Sequence, residues 1–170
     1  GKKCTTVIDR SGGTVDDYDE ETSTWYVYGL EEYMRAADLD KFVDVAGDGR
    51  YEIVKYGNKA PWVGTGTVIN VYDNVTDELV ESFWIIIFGD INGDARINAG
   101  DEDMALLEIA GGTAWSRVFD DTTYVHYMAK AADVTGDMSV TGTDATYIGE
   151  WPSGISVIDQ TTGLASVAQY

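Results

Sequence analysis

The sequence predicts an α+β fold. A small β-rich half, residues 1–88, precedes a helical half built on two loop–helix units. Three observations carry this. β-branched and aromatic runs bounded by Gly, Asp and Asn fill the first half. Two twelve-residue acidic loops, Asp90–Asp101 (DINGDARINAGD) and Asp133–Asp144 (DVTGDMSVTGTD), are each followed by a helix-like stretch. The apolar run Glu81–Phe88 (ESFWIIIF) feeds the first loop directly and leaves no room for an entering helix.

In chain order, Thr5–Ile8, Trp25–Leu30, Tyr51–Tyr56, Gly64–Tyr72 and Leu79–Phe88 have strand character. Glu31–Leu39 (EEYMRAADL) reads as the helix of this half, its two glutamates suiting a helix N-terminus. Thr67–Tyr72 alternates polar with apolar, so one face is wet and the other buried, and residues 72–78 read as a hairpin turn. Asp44–Gly49 looks like a third acidic loop. Its ligand positions would fall on Ala46 and Lys55, which cannot bind a cation, so it reads as an ordinary turn.

Gly111-Gly112 is expected to end the helix after the first loop. Thr122–Ala132 reads as a linking helix with Tyr124, Tyr127 and Met128 toward the core and His126 on the surface. A further helix begins near Thr143 and must end before Pro152. The tail, Ile155–Tyr170, has two placements open to it: packed back on the helical half, or paired with the N-terminal strand.

Composition narrows the function. The 170 residues are 44% hydrophobic, enough to bury real cores. The net charge of −19 argues against nucleic acid or an anionic membrane as partner. No segment is apolar over a membrane-spanning length. Cys4 is the one cysteine and His126 the one histidine, too few for the usual zinc site and a poor catalytic pair. No catalytic residues are nominated, and the chain is expected not to be an enzyme.

The two loops carry the chemistry. Oxygen-bearing side chains occupy positions 1, 3, 5, 9 and 12: Asp90, Asn92, Asp94, Asn98 and Asp101 in the first, Asp133, Thr135, Asp137, Thr141 and Asp144 in the second. Position 7, Arg96 or Ser139, would offer its backbone carbonyl. Ca²⁺ takes six to eight oxygens from such a flexible loop, so two Ca²⁺ ions are expected. Ile97 and Val140 at position 8 should anchor each loop in a core. The loops depart from the EF-hand pattern. Position 12 is Asp rather than Glu, and position 6 is Ala95 or Met138 where Gly is usual, which makes a sharp turn costlier. Thr135 is a neutral ligand, so the second site is expected to be weaker.

A duplicated loop-then-helix unit without an entering helix resembles the dockerin family. The matching residues run from Phe88-Gly89-Asp90 through Asp94 and on to Asp101–Leu107, and again from Ala132-Asp133 to Asp144–Ile148. The resemblance covers about residues 89–155, with 156–170 as a tail. Tyr28-Gly29-Leu30, Gly64–Val68 and the strand entering Phe88-Gly89-Asp90 are similar to the X module that often precedes a dockerin. What the resemblance implies is a non-catalytic, extracellular bacterial module that folds around two Ca²⁺ ions. It would plug into a cohesin of a cellulosome-type scaffold or cell surface, with the X module as a rigid stabilising spacer. Carried over residue by residue, the cohesin would meet Ala99, Gly100, Leu106 and Leu107 in the first unit, and Gly142, Thr143, Gly149 and Glu150 in the second. The two sets differ, which implies one docking orientation. Leu106 and Leu107 are consecutive, so one is expected in the core, the other being an exposed anchor or incidental. Tyr147 and Trp151 share a helix side and form a second candidate face. The alternative function is a carbohydrate-binding module with structural calcium, using aromatics such as Trp25, Tyr26, Trp62 and Tyr72. A glycosidase or a groove-opening Ca²⁺ sensor fits the short chain and its scattered methionines less well.

Overall fold

A computed structural model of the chain describes residues 5–8, 14–19, 24–41, 43–46, 48–58, 60–111, 128–160 and 162–169. The fold is mixed α+β. Strands β1 (Thr5–Ile8), β2 (Thr14–Asp19), β3 (Thr24–Tyr28), β4 (Val43–Ala46), β5 (Gly49–Lys55), β6 (Val68–Asp73) and β7 (Leu79–Ile85) precede helices α1 (Ala99–Gly111) and α2 (Gly142–Glu150). A hairpin of β8 (Ser156–Ile158) and β9 (Ala165–Val167) follows.

The main sheet has the order β2-β3-β7-β6-β5, with β1 and β4 forming a separate antiparallel pair. β3 and β7 run parallel, Trp25 opposite Phe83 and Val27 opposite Ile85. β6 and β7 form the expected hairpin, closed where Asp73 N–H donates to Glu78 O at 3.0 Å. Ile69 and Val71 are buried while Asn70 and Tyr72 face a wetter side and bond each other. Thr67 departs from the alternation: it precedes the strand and is buried, its hydroxyl accepting the Gly57 N–H.

The helix expected over Glu31–Leu39 does not form. A 3₁₀ turn covers Ala36–Lys41 instead. Tyr33 has φ of +63°, which a right-handed helix cannot accommodate. The backbone around it is already committed. Tyr33 N–H donates to Ala95 O, Ala36 N–H to Pro61 O, and Met34 O accepts from Val63 N–H. The supposed turn at Asp44–Gly49 is also corrected in part, because Val43–Ala46 is strand β4, paired with β1.

β7 ends at Ile85, earlier than the apolar run. Its buried continuation, Ile86–Phe88, satisfies its backbone by other means. Ile86 N–H reaches Val27 O, and the Thr65 hydroxyl both accepts from Ile87 N–H and donates to Ile87 O. The Gln160 side chain pairs with both backbone groups of Phe88. The hydrophobic core runs without a break from the sheet (Val27, Ile69, Ile85) through Phe88, Ile91 and Ile97 to Ala105, Ala145, Ile148 and Ile158. Residues 128–132 are helical. Met128 is buried as expected, Lys130 lies over the rings of Tyr26 and Tyr28, and Ala131 O accepts the Gly89 N–H. Tyr124, His126 and Tyr127 lie outside the described residues. α1 ends at Gly111 and packs on α2, which spans the expected residues. The tail packs back: Ala165 N–H donates to Val134 O, and Ile158 reaches Gly89.

Candidate metal loops and the surface beside them

Each loop folds around its own first and last aspartates. In the first, Asp90 Oδ1 accepts from the N–H groups of Gly93 and Asp94, and Oδ2 from Ala95 at 3.0 Å. In the second, Asp133 Oδ1 accepts from Gly136 and Asp137, and Oδ2 from Met138 at 2.8 Å. Position 12 closes both loops. Asp101 takes the N–H groups of Ile91, Asn92 and Asn98, and Asp144 takes those of Thr135 and Thr141. Asp94 and Asp137 each accept the N–H two residues on, from Arg96 and Ser139. Position 6 is left-handed in both, with φ of +67° at Ala95 and +65° at Met138. The sharp turn expected there forms despite the side chains, at a strain of about 1 kcal/mol each.

The outcome is three carboxylates converging in each loop: Asp90, Asp94 and Asp101, and Asp133, Asp137 and Asp144. Within each set the oxygens lie within 4.8 Å of one another. Like charges this close repel, and burial makes it worse. Asp90 and Asp101 are fully buried. Burial, then the neighbouring Asp101 charge, holds the Asp90 carboxyl well above the ordinary carboxylate range. Burial pushes Asp101 up to about 7, against the pull of backbone N–H groups from Asn98, Asn92 and Ile91. A cation placed among these oxygens would remove the repulsion. The donors are carboxylate, amide and hydroxyl oxygens, with no imidazole or thiolate in either set. That chemistry fits a hard ion such as Ca²⁺.

The loops differ in their surroundings. Ile97 is buried and Val140 is half-buried against the core, so both act as anchors. The first loop is bonded to the β-rich half. Thr65 N–H donates to Asp90 Oδ2 at 3.0 Å, and Asn58 Nδ2 to Asn92 O. Gly64 lies so close that a Cβ there would meet Gly93 O at 2.4 Å. The second loop meets the tail instead, Leu164 lying against Gly136. Its Thr135 hydroxyl lies within hydrogen-bond reach of Asp133 and Asp144, at 3.3 and 3.0 Å. None of Glu32, Asn58 or Thr65 was nominated from sequence. Their partners lie tens of residues away, and no local pattern signals them.

Of the residues carried over as partner-binding, Ala99, Gly142 and Thr143 are exposed and Gly100 and Glu150 half-buried. Leu106 and Leu107 are 45% and 44% exposed, so neither enters the core, contrary to the expectation for one of them. Ala105 takes the core position instead. Ile109, three residues on from Leu106, is 39% exposed. Gly149 is half-buried and faces α1, where a Cβ would meet the Glu102 carboxylate. Tyr147 and Trp151 are half-buried against the core, and the Trp151 indole donates to Glu32. Beside them a cleft of ≈ 530 Å³ is lined by Glu31, Glu32, Tyr33, Trp151 and Gln160 among others. No helix among the described residues is long and apolar enough to cross a membrane. Comparison of the chain with protein-family models, curated proteins and solved structures finds no match.

Proposed function

We propose that this chain is a non-catalytic, Ca²⁺-dependent protein–protein interaction module, an X-module–dockerin pair that binds a cohesin. In this reading it anchors its parent protein, outside the cell, to a cellulosome-type scaffold or a bacterial cell surface. The duplicated loop carries the proposal. Two twelve-residue segments with different side chains share all but one of these carboxylate–backbone bonds within the loop, and each leads straight into a helix. Asp90, Asn92, Asp94, Asn98 and Asp101, with the Arg96 carbonyl, would hold one Ca²⁺. Asp133, Thr135, Asp137, Thr141 and Asp144, with the Ser139 carbonyl, would hold the other. The ions would neutralise the converging carboxylates and fix the helices behind them.

The exposure of Leu106, Leu107 and Ile109 on the outer part of α1 supports a partner surface there, since interface centres are apolar. Calorimetric titration against a panel of cohesins, with and without chelator, tests the proposal. Binding is expected with Ca²⁺ and is lost with chelator. Leu107→Asp should abolish it while changing stability by no more than about 0.5 kcal/mol. Absence of binding across the panel with Ca²⁺ present would sink the cohesin reading. The second reading is a carbohydrate-binding module with structural calcium. It draws on the cleft where Tyr33 and Trp151 meet Glu31 and Gln160, and a glycan array discriminates it.

A further inference from the structure

We propose that Glu32 is a positioning residue for the first metal loop, aiming the Arg96 carbonyl by holding the N–H of Ile97. The inference rests on the loops being Ca²⁺ sites. It adds a residue 65 positions away in sequence to the first of them. Glu32 Oε1 accepts the Ile97 N–H at 2.6 Å, and Oε2 accepts the Trp151 indole N–H at 3.3 Å. Ile97 N and Arg96 C=O belong to one planar trans peptide unit, in which N–H and C=O point in opposite directions. A carboxylate that fixes the N–H therefore turns the Arg96 carbonyl away from Glu32.

Two other carbonyls of this loop are already used. Ala95 O accepts from Tyr33 N–H at 2.8 Å, and Asn92 O from Asn58 Nδ2 at 3.1 Å, both drawn toward the β-rich half. Among the described residues no donor reaches Arg96 O. The carbonyl at the ligating position is thus left open while that of Ala95, the residue before it, is occupied. The second loop has no counterpart among the described residues: its carboxylates take the N–H groups of Thr135, Gly136, Asp137, Met138, Ser139 and Thr141, not that of Val140. Trp151, which follows α2, holds the other oxygen of Glu32. One side chain thereby ties the first loop to the end of the second loop's helix.

The test is a Ca²⁺ titration of the full chain followed by NMR at the amides of Gly93 and Gly136, which report the two loops separately. Glu32→Ala is expected to weaken the dissociation constant read at Gly93 about tenfold, as removal of an outer-shell partner does, and to leave that at Gly136 nearly unchanged. Glu32→Gln keeps an acceptor for Ile97 and should recover most of the loss. Trp151→Phe removes only the indole donor and should leave Gly93 near its parent value. Hydrogen exchange on the parent chain in chelator gives a readout that needs no variant: slow exchange at Ile97 and fast exchange at Val140 are expected. Equal weakening at both glycines, no weakening at Gly93, or equal exchange at Ile97 and Val140 would overturn the inference. If neither glycine responds to Ca²⁺ in the parent chain, the metal reading of the loops falls, and this inference with it.

Discussion

The two acidic loops share a hydrogen-bond pattern and differ in what surrounds it. The first is sunk in the molecule, with Asp90 and Asp101 fully buried and Thr65, Tyr33, Asn58 and Glu32 bonded to it from the β-rich half. The second lies at the rim. Asp137 and Met138 are exposed, Met138 at 94%, and Asp133 is half-buried, although Asp144 is as buried as Asp101. The same twelve-residue device can therefore serve two ends. Where turns of the β-rich half supply partners, the protein itself holds the loop's shape. Where solvent surrounds the loop, a bound ion would have to offset the cost of ordering it.

Removing Ca²⁺ is the strongest way to break this comparison. Each site held at a hundredfold its dissociation constant contributes about 2.7 kcal/mol, so two sites together should raise the thermal midpoint by roughly 10–20 °C. Scanning calorimetry with and without chelator measures it. An unmoved midpoint would mean that neither loop binds metal. In chelator, acidity should partly replace the ion in the first loop. Asp101 titrates near 7 in the folded chain against an ordinary 3.8, so the folded state binds this proton more tightly than the unfolded chain does. The metal-free protein should therefore be most stable at acidic pH and lose up to about 4 kcal/mol as pH rises from 4 through 7. With Ca²⁺ present the trend reverses, because protons compete with the ion. Denaturant titrations across pH separate the two cases.

Smaller effects sharpen the contrast. Gly64→Ala drives a Cβ into the backbone of the first loop, at 2.4 Å from Gly93 O and 2.6 Å from Ala95 N, and should cost about 3 kcal/mol. Gly142→Ala, with nothing within 4 Å of the new atom, should cost well under about 1 kcal/mol. Chemical denaturation of the pair measures how much closer the first loop is packed. Asp90→Ala strands four backbone N–H groups in the interior, whereas Asp133→Ala leaves its donors within reach of water. With Ca²⁺ present, the first should be more destabilising by about 2 kcal/mol. Equal losses would show that burial does not distinguish the loops.

The loops were legible in sequence because their chemistry is local: twelve consecutive residues supply both the carboxylates and the N–H groups that they bind. Most strands of the main sheet were legible for the same reason, through runs such as Val68–Tyr72 and Leu79–Ile85. β2 was not, since Thr14–Asp19 (TVDDYD) places two consecutive aspartates mid-strand, and it is held by pairing with β3 across a bulge. The helix assigned to Glu31–Leu39 failed because its residues favour a helix locally while distant groups take the backbone bonds. Pro61, Val63 and Ala95 supply those partners, and nothing near Tyr33 in sequence announces them. Glu32 was read as a helix-starting acid on the same grounds. The three-residue strands β8 and β9 are too short to show a period and are defined by what they cover.

The Phe88–Gln160 pairing has a consequence for how the chain is made. The backbone of Phe88 is completed by a side chain 72 residues later, and its ring is packed by Gly163, where even a Cβ would lie 2.6 Å from a ring carbon. As the chain leaves a ribosome, the sheet can assemble once β7 has emerged. Phe88 then lacks these partners until some 75 further residues are synthesised, several seconds at ordinary elongation rates. During that interval the unpaired Phe88 backbone and ring would be open to a chaperone or a second nascent chain. Covering Phe88 is thus the part of folding that waits for the segment around β8 and β9.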